Sequence, residues 1–158
     1  MKKNNFYTVR GYMIKDDNPL TPTMEDYLEM IYRLCEEEGY ARMKDLSEQL
    51  HVKASSSTKI VQKLAVHKFV YYEKYGIIQL TKKGKEYGGF LLYRHEVIEE
   101  FLKKLDIKET LLRDTELIEH HISPKLLNEV KYLNDFFEVY PNVLQSFNSY
   151  KKEINEKK

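Results

Sequence analysis

The stretch MKDLSEQLHVKASSSTKIVQKLAV, residues Met43–Val66, decides the fold of this chain. Apolar residues recur three or four positions apart in both of its halves, which predicts two short helices, over Met43–Leu50 and about Ser55–Val66. Only His51–Ala54 joins them, and two short helices with a link of this length form a helix-turn-helix.

A β-hairpin is predicted directly after this pair of helices. Phe69–Glu73 and Ile77–Leu80 are rich in aromatic and β-branched residues, and the turn between them ends in Gly76. A helix-turn-helix followed at once by a hairpin makes a winged helix. In front of it, Thr23 is the predicted N-cap of a further helix, which ends at a left-handed Gly39.

The second half of the chain is predicted to be helical. Its apolar faces exceed what a small monomer can cover, which favours a dimer. The predicted fold is therefore mainly α, with an N-terminal winged helix-turn-helix domain and a C-terminal all-helical dimerisation domain. We expect a flexible lead-in over 1–20 and the two domains over 21–88 and 89–158. The helices expected in the second half are about Lys83–Leu105, Glu109–His121, one that starts at Ser123-Pro124 and is broken by Pro141, and Val143–Ile154.

The composition excludes several classes of protein. The 158 residues carry 26 Lys and Arg against 25 Asp and Glu, a net charge of +1, and 42% of them are hydrophobic, so the chain can bury a core. No apolar run approaches the ~20 residues that cross a bilayer. The single cysteine, Cys35, excludes an internal disulfide framework and a thiolate zinc site. We therefore expect a cytoplasmic protein with no membrane partner.

The charge is divided unevenly along the chain. From His51 to Lys85 eight lysines stand against one glutamate, a net +7. The segment Glu96–His121 has eight acids and four bases, a net −4. This asymmetry suggests two surfaces with different partners, and the alternative is that both segments are simply solvated faces.

Carboxylates and histidines recur at helical spacing in three parts of the sequence. Residues three or four apart share a helix face, so each group can converge on one ion. Four carboxylates, two imidazoles and no thiolate suit Mn²⁺ or Fe²⁺, with Zn²⁺ as a competitor, and bridging carboxylates allow two ions. Helix capping and exposure to solvent are the alternative roles of these side chains. The candidates are Asp26 and Glu29, then His95, then Glu116, Glu119 and His120.

A series of motifs resembles the diphtheria toxin repressor family of metal-activated bacterial repressors, and in particular its manganese-responsive branch. The resemblance runs in order from about Thr21 to Phe137. Its motifs are TPTMEDYLE at 21–29, GYAR at 39–42, VQKL at 61–64, YEKY at 72–75, YRHE at 93–96 and IEHH at 118–121.

This resemblance implies that the six candidates occupy all the side-chain ligand positions of the manganese branch. The iron-responsive branch has methionine at the position of Asp26 and cysteine at that of Glu116, whereas both are carboxylates here. The implied cofactor is therefore Mn²⁺, with Fe²⁺ or Zn²⁺ as alternatives, and two ions per subunit.

The resemblance also implies a homodimeric repressor of metal-uptake genes that binds a palindromic DNA operator and no small organic substrate. Small hydroxyls at the start of a recognition helix can approach phosphates or base edges, glutamine can pair with adenine, and lysines contact phosphates. The predicted DNA contacts are Ser55, Ser56, Ser57, Thr58, Lys59, Gln62, Lys63, Lys74 and Tyr75.

Three alternatives share part of this pattern. One is an iron- or zinc-responsive repressor of the same architecture. Another is a metal-independent winged-helix regulator in which the carboxylates form salt bridges. A di-metal hydrolase would use similar ligands, but it does not explain the +7 segment, and the sequence offers no separate nucleophile or acid–base set. We therefore expect that the chain is not an enzyme.

Overall fold

The computed structural model describes residues 20–73 and 76–157. The predicted lead-in, apart from Leu20, lies outside these residues, as do two of the predicted DNA contacts, Lys74 and Tyr75. The chain divides into two compact units, the first ending at Leu92 and the second beginning at Tyr93. Within the described part of the chain, no helix is both long enough and apolar enough to cross a membrane.

Helix α1 (Pro22–Glu38) begins two residues earlier than predicted. Thr21, not Thr23, is the N-cap, because its Oγ1 accepts the backbone N–H of Met24 at 3.3 Å and Pro22 is preorganised for the first helical turn. The predicted end is confirmed: Gly39 has φ of 80°, and its N–H donates to the carbonyl of Cys35 at 2.8 Å.

The predicted helix-turn-helix is confirmed by helices α2 (Met43–Gln49) and α3 (Ala54–Val66), whose ends lie within one residue of the expected positions. Leu46 on α2 and Val61 and Leu64 on α3 are fully buried. They pack with α1 residues in one apolar core, which fixes three helices around a shared centre.

The wing is part of a small antiparallel sheet of three strands. Its hairpin is formed by β2 (Val70–Tyr72) and β3 (Ile77–Leu80), with Val70 opposite Leu80. Strand β1 (Ala41–Arg42) pairs with β3 and was not predicted, because two residues are too short to show an alternating pattern. The first unit is therefore a winged helix, as expected.

The second unit is entirely helical within its described residues. Helix α4 (Lys82–Lys104) contributes to both units, and α5 (Leu111–Glu119), α6 (Pro124–Val139) and α7 (Pro141–Glu156) follow. Ser123 caps α6 as predicted, since its Oγ accepts the N–H of Leu126 at 3.2 Å. The small core of this unit is built on Val97, Ile98, Leu102 and Leu127.

Candidate metal centre and nucleic-acid interface

Predicted metal ligands from two helices meet in the second unit. His95 lies on α4 and Glu119 is the last residue of α5, and His95 Nδ1 is 3.0 Å from Glu119 Oε2. Glu116, nearly one turn earlier on α5, places Oε1 3.6 Å from the same nitrogen. The three-residue spacing puts both glutamates on the face of α5 that meets His95.

His120 extends this cluster at the end of α5. Its Nε2 lies 3.8 Å from Glu119 Oε1, and Arg94 Nη2 lies 3.4 Å from its Nδ1. Glu116, Glu119 and His120 each offer a ligand atom, and these atoms lie within 4.8 Å of one another. Arg94 was not among the predicted site residues, although it stands next to His95 in the sequence.

The burial of the cluster is informative about its chemistry. His95 is 7% exposed and Glu119 is 1% exposed. A carboxylate this deeply buried is costly unless it is hydrogen-bonded, paired or bound to a metal ion. Two ligand atoms that each lie about 2.1 Å from the same ion, with an angle of about 90° at the ion, are about 3 Å apart. The separations from His95 Nδ1 approach this value, so carboxylate oxygens and imidazole nitrogens here fit a divalent cation such as Mn²⁺, Fe²⁺ or Zn²⁺.

The other two predicted ligands lie in the first unit, on α1. Asp26 and Glu29 are three residues apart and therefore share a helix face. Glu29 is buried, and Arg33 donates to its Oε1 from Nη2 at 2.7 Å and from Nε at 3.0 Å. Sequence reasoning missed Arg33; its position four residues after a glutamate on a helix is the signal that identifies such a pair.

Most of the predicted DNA contacts lie on one exposed face of α3. This helix contains two lysines and no acidic residue. Thr58 is half-buried, and its Oγ1 donates to the carbonyl of Ala54 at 2.9 Å. The predicted contacts that are exposed are Ser55, Ser56, Lys59, Gln62 and Lys63.

Ser57 is the exception, and the prediction that it contacts DNA is wrong. Its side chain is 0% exposed, and its Oγ lies 2.9 Å from Ser47 Oγ and 3.2 Å from the hydroxyl of Tyr27. Successive residues of a helix are rotated by about 100°, so the residue after Ser56 points from the exposed face towards the core.

Two family models match the chain and together cover most of it. The model of the iron dependent repressor N-terminal DNA binding domain matches residues 19–78. The model of the iron dependent repressor metal binding and dimerisation domain matches residues 81–148.

Individual proteins are also similar to this chain. The HTH-type transcriptional regulator MntR of Bacillus subtilis (strain 168) is 48% identical over 119 residues, which cover 75% of this chain and 84% of that protein. The regulator of the same name from Geobacillus kaustophilus (strain HTA426) is 47% identical over the same shares of the two chains. The solved structure of the manganese regulator SloR has a TM-score of 0.63 and 32% identity, with 73% of this chain covered.

The chain spans about half of the SloR chain, 55% of its length. The matched family domains nevertheless follow one another in the order of the two units described above. By the extent of these matches, the chain belongs to the iron-dependent repressor family, whose members combine a DNA-binding domain with a metal-binding and dimerisation domain.

Proposed function

We propose that this protein is a manganese-activated, sequence-specific DNA-binding repressor of metal-uptake genes. The observation that carries the proposal is the cluster of His95, Glu116, Glu119 and His120 in a chain whose first unit is a winged helix. The similarity to the manganese regulator SloR supports the same function. The ligands that we propose for two ions per subunit are Asp26, Glu29, His95, Glu116, Glu119 and His120.

The choice of manganese follows from the chemistry of the proposed ligands. Four carboxylates and two imidazoles make a hard, oxygen-rich set, which suits Mn²⁺ better than a set with methionine or cysteine would. The only thiol of the chain, that of Cys35, is buried in the core of the first unit and does not belong to the set.

The link from metal to DNA rests on electrostatics. Four carboxylates brought close together repel one another, so their approach is unfavourable without a counter-charge. When bound, a divalent ion supplies that counter-charge. Metal binding would thereby shift the population towards the form that binds DNA, and each tenfold gain in DNA affinity needs about 1.4 kcal/mol of this coupling.

The proposed DNA interface is the exposed face of α3 together with the wing. Lys59 and Lys63 would neutralise phosphates, and Ser55, Ser56 and Gln62 would approach base edges or phosphates. Thr58, Lys74 and Tyr75 complete the proposed set. In a two-fold dimer, two such helices would enter successive major grooves, so the proposed operator is palindromic.

Apolar side chains on α6 support the proposed dimer. Tyr132, Phe136 and Val139 lie at helical spacing and are all exposed in the single chain. An exposed stripe of this kind is typical of a surface that a partner covers. We propose that a second copy of the chain packs on it, in keeping with the dimerisation domain that the family model identifies.

The experiment that tests this function begins with selection of duplexes from a randomised DNA pool by the protein with Mn²⁺. The enriched duplex is then titrated by fluorescence anisotropy with Mn²⁺, with anaerobic Fe²⁺, with Zn²⁺ and with EDTA. We expect the protein to bind the duplex tightly with Mn²⁺ and at least tenfold more weakly with EDTA.

Two outcomes would contradict the proposal. Equal binding with Mn²⁺ and EDTA would indicate a metal-independent winged-helix regulator. A stronger response to Fe²⁺ or Zn²⁺ than to Mn²⁺, at matched free concentrations, would indicate an iron- or zinc-responsive repressor of the same architecture.

A further inference from the structure

Three buried hydroxyl groups from three different helices meet inside the winged helix. Tyr27 lies on α1, Ser47 on α2 and Ser57 on α3, and all three side chains are buried. The Tyr27 hydroxyl is 3.2 Å from Ser57 Oγ, and Ser47 Oγ is 2.9 Å from the same atom. Ser57 is therefore the centre of a hydroxyl network that joins the first three helices.

The network can satisfy every hydroxyl that it contains. Ser57 Oγ has two lone pairs, so it can accept hydrogen bonds from both Tyr27 and Ser47. Its own hydrogen can go to the carbonyl of Lys53 at 3.5 Å. Ser47 also has the carbonyl of Met43 within 2.8 Å as an alternative acceptor. Buried hydroxyls without such partners would be destabilising.

A network of this kind restricts the helices more narrowly than apolar packing does. Apolar side chains can slide against each other at modest cost, whereas a hydrogen bond weakens steeply with distance and angle. The hydrogen bonds that join Tyr27, Ser47 and Ser57 to one another persist only while α1, α2 and α3 keep their present positions. The Tyr27–Ser57 contact therefore ties the position of α3 directly to that of α1.

The two residues of this contact lie beside proposed metal ligands and beside proposed DNA contacts, respectively. Tyr27 immediately follows Asp26 and precedes Glu29 by two residues, so it lies on the helix that carries two proposed metal ligands. Ser57 lies near the start of α3, between Ser56 and Lys59, two proposed DNA contacts. One hydrogen bond thus connects the proposed ligand-bearing helix to the part of α3 that would face DNA.

We propose that the Tyr27–Ser57 hydrogen bond is a positioning contact that transmits metal occupancy on α1 to the recognition helix α3. The proposal rests on the function proposed above. Neither Tyr27 nor Ser57 is a proposed metal ligand or DNA contact; they hold α3 in the orientation that the metal-bound α1 dictates. Their contribution is to the coupling between the two ligands and not to the intrinsic affinity for either.

The test uses Tyr27→Phe, which removes one oxygen atom and keeps the ring, together with Ser57→Ala and the double variant. Mn²⁺ affinity is measured by calorimetry, and affinity for the selected duplex is measured with Mn²⁺ and with EDTA. We expect Mn²⁺ affinity within twofold of that of the unchanged protein. We also expect the ratio of DNA affinities with and without Mn²⁺ to fall about fivefold, the usual effect of one hydrogen bond.

A matched control is Tyr87→Phe, which also removes one hydroxyl group from the same unit; the Tyr87 hydroxyl donates to Glu25 at 3.4 Å. It should leave the ratio of DNA affinities unchanged. The double variant should lose no more than Ser57→Ala alone, because both single variants remove the Tyr27–Ser57 bond and Ser57→Ala also removes the bond to Ser47. Ser47→Ala, which keeps the Tyr27–Ser57 pair, should have a smaller effect and provides a second test if Ser57→Ala folds poorly.

The proposal is overturned if Tyr27→Phe has the same ratio of DNA affinities with and without Mn²⁺ as the unchanged protein. It is also overturned if DNA affinity falls equally with Mn²⁺ and with EDTA, because the bond would then support only the fold of α3. Failure of the underlying function is a separate result, since the unchanged protein itself would then show no response to Mn²⁺.

Discussion

His95 Nδ1 and Glu119 Oε2 lie 3.0 Å apart although 24 residues separate them in the sequence. Glu116 Oε1 approaches the same nitrogen to 3.6 Å. One imidazole nitrogen has at most one hydrogen and cannot serve two carboxylates equally well. A metal ion accepts all three side chains at once, which makes this arrangement more consistent with a ligand set than with a simple salt bridge.

Glu119→Gln should weaken Mn²⁺ binding at least about tenfold. The amide keeps the size of the side chain but loses its negative charge. Loss of a residue that only hydrogen-bonds to a metal ligand already lowers metal affinity about 10- to 100-fold. Calorimetric titration, or electron paramagnetic resonance of the free ion, measures the change. Glu96→Gln is the matched control, since Glu96 is an exposed carboxylate next to His95 on α4. Equal Mn²⁺ affinity in the two variants would remove Glu119 from the ligand set.

Lys59→Ala should reduce the salt dependence of DNA binding. A lysine that neutralises one phosphate releases about one counterion, so the slope of log K against log[salt] should become about one unit shallower. The slope is measured by anisotropy over a series of salt concentrations. Lys125→Ala, which removes an exposed lysine of α6, should leave the slope unchanged. A Lys59→Ala slope equal to that of the unchanged protein would show that Lys59 contacts no phosphate.

Much of the fold follows from apolar periodicity and helix-end signals. Leu46, Val61 and Leu64 were identifiable as core residues because their spacing is helical, and Gly39 and Ser123 mark helix ends through their backbone and capping preferences. Such signals are local. The pairing of β1 with β3 is a long-range contact of two residues, and no short-range pattern in the sequence encodes it.

The candidate site was predictable in its residue types and less so in its geometry. Spacing places Glu116 and Glu119 on one face of a helix, but it cannot bring His95 to that face; the packing of α4 against α5 does so. For Ser57, the local sequence was misleading. A serine among serines at the start of a recognition helix suggests exposure, and only the tertiary structure reveals that it is turned inward.

Gly84→Ala should destabilise the first unit by about 3 kcal/mol. A Cβ at this position would lie 1.9 Å from the carbonyl oxygen of Phe69, a backbone atom that cannot move without disturbing the start of the wing. Urea denaturation measures the free energy of unfolding. Gly89→Ala is the control on the same helix, because its Cβ would meet the Tyr32 hydroxyl at an ordinary 3.4 Å. The control should be neutral or up to about 1 kcal/mol more stable, through better helix propensity.

Cys35 should react slowly with thiol reagents in the folded protein. Burial raises the pKa of its thiol, which lowers the fraction of reactive thiolate near neutral pH, and the same burial restricts access. Alkylation should therefore need a higher pH in the native protein than in urea, where the pKa returns to about 8.5. Equal rates at pH 8 in the two conditions would contradict the buried position of this side chain.

Tyr132→Lys should weaken the dimer while leaving each chain folded. The side chain is 67% exposed in the single chain, so a charge there is tolerated by the monomer, but it would be costly if a second copy covers it. Sedimentation equilibrium should give twice the 19.0 kDa of one chain for the unchanged protein and a dissociation constant at least about tenfold higher for the variant, equivalent to 1.4 kcal/mol. Tyr132→Phe keeps an apolar aromatic ring at the same position without a charge and should dimerise normally. If both variants dimerise alike, the contact between copies lies away from the Tyr132, Phe136 and Val139 stripe.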